Sequence, residues 1–448
     1  MPYNGTYTVT ILHFIIWLRG VWHLIIHVVK AGDSLYSISR RYGVPIARIA
    51  SDNEINVSDS LVIGQTIVIM EGTRQHTVKA GESLFSIARQ YGTTVASIQA
   101  ANQITNPAAI RPGMVLTIPS GTDKLGTISV NGYTFPNINM DVLRKTLPYL
   151  TYLSIFSYEV KTDGSIGTLN DEPLISAARE ANVAPLMVIT NLQEGGGFSS
   201  DIAKAILTNE QAQNTLINNV IENMSAKNYS GLDIDFEYIY PENREDYNNF
   251  LRKVTSRLRP LGYSVTTALA PKNAADQQGL LYEAHDYPVH GALTDHVILM
   301  TYEWGYTFGP PMAVAPINEV RRVLNYAVSA IPRQKIFMGI PNYGYNWVIP
   351  YVEGSRAATI SNTGAVDLAR REGAVIQYDE KSQAPFFNYY DANGKEHVVW
   401  FDDARSIEAK MRLLNQYNLG GASYWTIGRY FPQNWLVVSS LYDVRKIL

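Results

Sequence analysis

The residues best suited to chemistry lie in one short run, Gly231-Leu232-Asp233-Ile234-Asp235-Phe236-Glu237. Acids occupy positions i, i+2 and i+4, and Leu232, Ile234 and Phe236 fill the alternate places. Successive side chains of a β-strand point to opposite faces, so on a strand the three carboxylates share one face and the apolar groups the other. Neighbouring acids are then about 6.6 Å apart, two residues at a rise of about 3.3 Å each. Ionising all three in a shielded site is costly, so at least one carboxyl takes a raised pKa. Glu237, the outermost, is best placed to protonate a departing oxygen as a general acid. Bulky apolar residues at every alternate position argue against a solvated edge strand.

Composition removes competing chemistries. Cysteine is absent, which excludes thiol catalysis, disulfides and Cys-ligated zinc. His285, His290 and His296 lie near one another in sequence but match no metal-ligand spacing. Loop and surface roles are expected for them, and neither a metal nor a cofactor is called for. The formal net charge is −3 with no basic block, so the electrostatic footprint of a nucleic-acid partner is missing. An apolar fraction of 46% against 17% charged residues suits folded domains. Aromatic residues at 11% are compatible with stacking on sugar rings, although cores use the same residues.

The elements that must position the acids alternate along the second two thirds of the chain. Candidate strands run from Thr127 to Val130, Leu150 to Phe156, Pro185 to Thr190, Gly231 to Glu237, Ser264 to Ala268, His296 to Tyr302, Lys335 to Ile340 and Gly421 to Ile427. Between them lie amphipathic stretches such as Asn214 to Met224 and Arg244 to Leu258, with apolar residues at helical spacing. Eight strands alternating with helices close a (β/α)₈ barrel, whose active site sits at the strand C-terminal ends. An excess stretch, about 351–406, carries a hairpin pattern around Asp391-Ala392-Asn393-Gly394 and is expected to form a small α+β insert beside the cleft.

Ahead of the barrel the sequence repeats itself. His27-Val28-Val29-Lys30-Ala31-Gly32-Asp33-Ser34-Leu35 returns 49 residues later as His76-Thr77-Val78-Lys79-Ala80-Gly81-Glu82-Ser83-Leu84. The same offset carries Tyr42-Gly43 onto Tyr91-Gly92, Asn53 onto Asn102 and Gly64 onto Gly113. Each unit reads as strand, helix, helix, strand, with Asp33 and Glu82 at the helix starts, where negative charge is favoured. The expected organisation is an atypical segment 1–25, repeats at 26–71 and 75–119, a polar linker at 120–126 and the barrel at 127–448. Thr8 to Ile26 is apolar but broken by His13, Arg19 and His23, which meets neither a signal-peptide nor a membrane-span pattern, and a later natural start near Leu24 is an open alternative. No membrane partner is expected, and a monomer is.

The duplicated unit resembles the LysM module, which implies binding to N-acetylglucosamine-rich glycans such as peptidoglycan and chitin. Residues 231–237 resemble the strand-four signature Asp-Gly-x-Asp-x-Asp-x-Glu of glycoside hydrolase family 18, with Ser230 standing where the family has its first Asp. Met300-Thr301-Tyr302-Glu303 resembles the family's Met-x-Tyr-Asp, with Glu303 for Asp. Trp425 matches its eighth-strand tryptophan, and Gly339 to Gly344, which includes Asn342 and Tyr343, matches its seventh-strand segment.

The resemblance implies a retaining, substrate-assisted hydrolase without a separate enzymic nucleophile. In that scheme Glu237 is the general acid and base, Asp235 orients the substrate acetamido group, Asp233 supports Asp235 and Tyr302 holds the acetamido group. Trp425 floors the sugar site, and Met300, Glu303, Asn342 and Tyr343 line it. LysM units ahead of such a barrel resemble the spore cortex-lytic N-acetylglucosaminidases, which implies cortex peptidoglycan as substrate and a spore or cell-wall location. A chitinase or other endo-β-N-acetylglucosaminidase is the alternative enzyme, and a non-catalytic glycan-binding coat protein the alternative of another class.

Overall fold

The computed structural model describes residues 23–71, 74–91, 93–118 and 124–448, so the N-terminal segment lies outside the described residues. Each repeat is a two-stranded antiparallel sheet with two helices. The first has β1 (His23–Val28), α1 (Leu35–Tyr42), α2 (Ile46–Asn53) and β2 (Thr66–Glu71). The second has β3 (Arg74–Thr77), α3 (Leu84–Tyr91), α4 (Val95–Asn102) and β4 (Val115–Ile118). Their cores use the same positions: Val29, Leu35, Ile38, Ile49, Ile67 and Ile69 in one, and Val78, Leu84, Ile87, Ile98, Leu116 and Ile118 in the other.

The acids at the helix starts do something other than offset a helix dipole. Asp33 lies 3.1 Å from His27 Nε2 and accepts from the Lys30 amide at 2.8 Å, while Glu82 is 2.7 Å from His76 Nε2. The first helix is capped instead by Ser34, whose side chain accepts from Ser37 N. Asn53 fastens α2 to β2 by donating to Ile49 O and Val68 O, and Asn102 repeats this in the second unit.

The large domain alternates strand and helix. It comprises β5 (Gly126–Thr134), α5 (Met140–Thr146), β6 (Tyr152–Glu159), α6 (Glu172–Glu180), β7 (Ala184–Thr190), α7 (Ser200–Leu207), α8 (Glu210–Lys227) and β8 (Gly231–Asp235). It continues with α9 (Arg244–Leu258), β9 (Ser264–Leu269), α10 (Tyr287–Leu293), β10 (His296–Leu299), α11 (Ile317–Ala330) and β11 (Ile336–Pro341). An inserted antiparallel sheet follows, formed by β12 (Gly344–Ile349), β13 (Ala358–Ile360), β14 (Gln377–Asp379), β15 (Ala384–Tyr390) and β16 (Glu396–Trp400), with α12 (Asn362–Arg371). The chain then returns through α13 (Ala404–Tyr417), β17 (Gly421–Trp425), α14 (Pro432–Leu441) and a short β18 (Tyr442–Val444).

Strands β5 to β11 pair in parallel in sequence order, and β17 pairs with both β11 and β5, which closes an eight-stranded barrel. Closure leaves no free edge, and side chains fill the interior. Tyr133, Phe156, Leu186, Val188, Ala268, Ile298 and Phe337 form that filling. Gly231 is required where β8 enters, because a Cβ there would lie 2.1 Å from Ser264 Oγ. The inserted sheet starts at Gly344, earlier than the stretch of excess length alone indicates, because β12 continues almost directly from β11 and extended backbone looks alike in both.

Candidate active site

Two of the three acids lie on the strand and the third does not. The β8 ladder ends at Asp235, so Glu237 stands two residues beyond it, at the C-terminal mouth of the barrel. Asp233 is fully buried and accepts a 2.9 Å hydrogen bond from Ser154 Oγ on β6. Burial pushes its pKa up to about 6. Asp235 is pushed well above the usual range, first by burial and then by the charges of Glu237 and Asp233. Burial and the charge of Glu303 push Glu237 up to about 7. Asp233 Oδ1 and Asp235 Oδ1 are buried without a protein partner. The group therefore retains a proton near neutrality, the state a general acid needs.

Beyond the ladder, side chains from elsewhere hold the backbone of Phe236 and Glu237. Asn191, just after β7, accepts from Glu237 N at 3.0 Å and donates to Glu237 O at 2.8 Å and Ser199 O at 3.0 Å. His285 Nε2 donates to Phe236 O at 3.0 Å, while its Nδ1 accepts from Ala270 N at 2.9 Å. Burial lowers the His285 pKa to about 4, which keeps the ring in the neutral form this pairing needs. His285 does lie in a loop, just before α10, and His290 within that helix, but both are buried, so the surface role read from sequence is wrong for them. Both help pack the space around Tyr247 and α9, a long-range arrangement that local spacing does not reveal.

A cleft of about 510 Å³ opens over Asp235 and Glu237, with Tyr133, Phe156, Met300, Tyr302, Glu303 and Trp425 in its walls. Trp425, at the end of β17, packs edge-on against Phe156 and Tyr133, with ring centroids 4.9 and 5.4 Å away, and its indole is held as a fixed apolar surface. Tyr302 has its phenol pKa raised by burial and by the nearby carboxylates of Asp235 and Glu237. Gly339 makes room for it, since a Cβ there would sit 2.8 Å from the Tyr302 ring. Glu303, at φ 66°, receives hydrogen bonds from the hydroxyls of Tyr343 and Tyr345, the latter at 3.0 Å.

Of the residues singled out from sequence, the structure brings Asp235, Glu237, Met300, Tyr302, Glu303 and Trp425 to the cleft, with Asp233 directly beneath. Tyr343 contributes indirectly, through Glu303. Asn342 does not join them: its amide donates to Thr426 O and Arg429 O and fastens the segment after β17. Ser230 is also structural, accepting from Arg179 at 3.2 Å. Asn191, Tyr238 and Phe156 were missed. Asn191 alone carried a usable signal, a polar side chain directly after a barrel strand.

A barrel with this acid group and aromatic floor defines a glycosidase, and comparison places it more narrowly. Residues 133–429 match Glycosyl hydrolases family 18, and residues 27–69 and 76–119 each match the LysM domain; the chain belongs to family 18 and carries two LysM domains. It is 48% identical over 428 residues to the cortical fragment-lytic enzyme of Bacillus subtilis (strain 168), covering 94% of this chain and 99% of that protein. The crystal structure of the Bacillus megaterium QM B1551 spore cortex-lytic enzyme SleL superposes with a TM-score of 0.84 at 40% identity, covering 96% and 100% of the two chains. A chitinase from Chromobacterium violaceum ATCC 12472 is more distant, with a TM-score of 0.66 and 26% identity over 70% of this chain and 98% of that one.

Proposed function

We propose that this glycosidase hydrolyses β-1,4 bonds after N-acetylglucosamine in spore-cortex peptidoglycan. The reading is carried by the stacked acid group: a Glu237 held up to about 7 at the mouth of a cleft, over a buried Asp235 and beside Trp425. The N-acetyl oxygen of the bound sugar attacks C1 as Glu237 gives its proton to the departing glycosidic oxygen. Asp235 orients the amide N–H and steadies the positive charge of the cyclic intermediate, and Asp233, sharing the buried charge, sets the protonation of Asp235. Tyr302 donates to the acetamido oxygen and Trp425 stacks under the ring. Glu237 then takes a proton from water, which opens the intermediate with retention at C1.

The cortex substrate and a spore location rest on the relatives at 48% and 40% identity, matched over nearly their whole length. The test is to incubate the protein with purified cortex fragments and with chitooligosaccharides and to analyse the products by mass. N-acetylglucosamine at the new reducing end of cortex products is the expected result. Cleavage of chitin alone would overturn the substrate, and glycan binding without cleavage of either would overturn the enzyme reading.

A further inference from the structure

The two LysM domains are alike inside and differ outside. Although the second intervenes in the chain, the first packs into one compact unit with the barrel and its insert. Val62 lies in the insert's own apolar core, with Leu368, Ile376, Phe387 and Phe401. Ile376 N donates to Ile63 O at 2.9 Å, and Arg370 donates to Ser60 O at 2.9 Å. A Cβ on Gly64 would fall 1.8 Å from Ile376 O, so the backbones meet as closely as a glycine permits. Beside this, Gln433 at the start of α14 donates to Asn53 Oδ1 at 3.0 Å and Thr66 O at 2.7 Å and accepts from Thr66 Oγ1 at 2.8 Å. All three side chains are buried.

This junction resembles a domain core more than a tether, since buried polar groups are paired across it and apolar ones interdigitate. The second repeat carries Met114 and Val115 where the first carries Gln65 and Thr66. Val115 is 58% exposed, against 3% for Thr66. The docked face of the first repeat leaves Tyr36 open at 59%, the position that Phe85 occupies, 70% open, in the second. The face given up to the barrel and the face bearing the exposed aromatic are therefore separate.

We propose that the first LysM domain is a fixed extension of the catalytic unit, which holds a glycan strand in one register relative to Glu237. A flexibly tethered module only raises local substrate concentration, because the strand it holds reaches the cleft in any register. A docked one also removes the orientational freedom of the strand, so particular bonds along it are presented to the acid. This rests on the hydrolase reading above.

Two full-length variants test it. T66V/Q433A removes the buried polar tie using the residue that the second repeat itself tolerates, and G64K drives a side chain into Ile376. Hydrogen exchange at the Ile376 amide reports docking directly. Both variants are expected to raise that exchange, to broaden the lengths of products cut from long glycan strands, and to lower kcat/KM on strands roughly tenfold. Cleavage of a short soluble oligosaccharide should stay within about twofold of the parent, since positioning within the cleft is untouched. An unchanged product pattern after undocking would overturn the proposal. So would an equal loss on both substrates, which marks a purely stabilising contact, or unaltered Ile376 exchange in both variants. If the parent cuts chitin strands and not cortex, the substrate reading fails alone and the same comparison runs on chitin.

Discussion

Glu237→Gln separates the electrostatic cost of the acid group from the catalytic use proposed for it. The Glu237 carboxyl moves from 4.5 to about 7 on folding, so the folded chain holds that proton more tightly than the unfolded one. Below about pH 4.5 the group is protonated in both states and costs nothing. Between there and about pH 7 stability falls as pH rises, and above pH 7 the whole penalty is present. Each pH unit of displacement corresponds to about 1.4 kcal/mol, or about 3 kcal/mol in all. Partial solvent access and the charge shared with Asp235 reduce this to about 2 kcal/mol. For a domain of this size that is a rise in Tm of roughly 3 °C.

Thermal unfolding of parent and variant at pH 4 and pH 8 measures it. The expected result is a variant that is inactive, binds glycan as the parent does and is more stable at pH 8 only. Equal stability at pH 8, or the same gain at both pH values, would refute the account of the site as a crowded, desolvated acid group. Retained hydrolysis would refute the role of Glu237.

Two other perturbations probe the surroundings of that acid. Asn191→Ala frees the backbone of Glu237 from its only side-chain clamp on both N–H and C=O among the described residues, so kcat should fall roughly 10²-fold with KM nearly unchanged; steady-state kinetics on oligosaccharide decides, and a KM effect alone would mean that Asn191 serves binding. Glu303→Gln removes a charge that raises the Glu237 pKa, so the alkaline limb of kcat/KM should move to lower pH, and an unmoved limb would show that the two carboxylates do not interact.

Much of this molecule was legible in its sequence because the deciding signals are local. The two-residue period of Gly231 to Asp235 places Asp233 and Asp235 opposite Leu232 and Ile234 wherever that run is extended. An exact 49-residue offset likewise announces two copies of one folding unit, and eight strands alternating with helices leave few architectures but a closed barrel. Tertiary structure decided what depends on partners distant in sequence. The β8 ladder stops at Asp235 because no neighbouring strand continues beside Glu237, and Asn191 and His285, 46 and 49 residues away from the groups they hold, replace it. Asn342 turns from the cleft because the carbonyls of Thr426 and Arg429 lie within reach of its amide. The docking of the first repeat through Gln433, 367 residues from Thr66, leaves no periodic trace, since hydrogen bonds between remote segments require only that the fold bring them together.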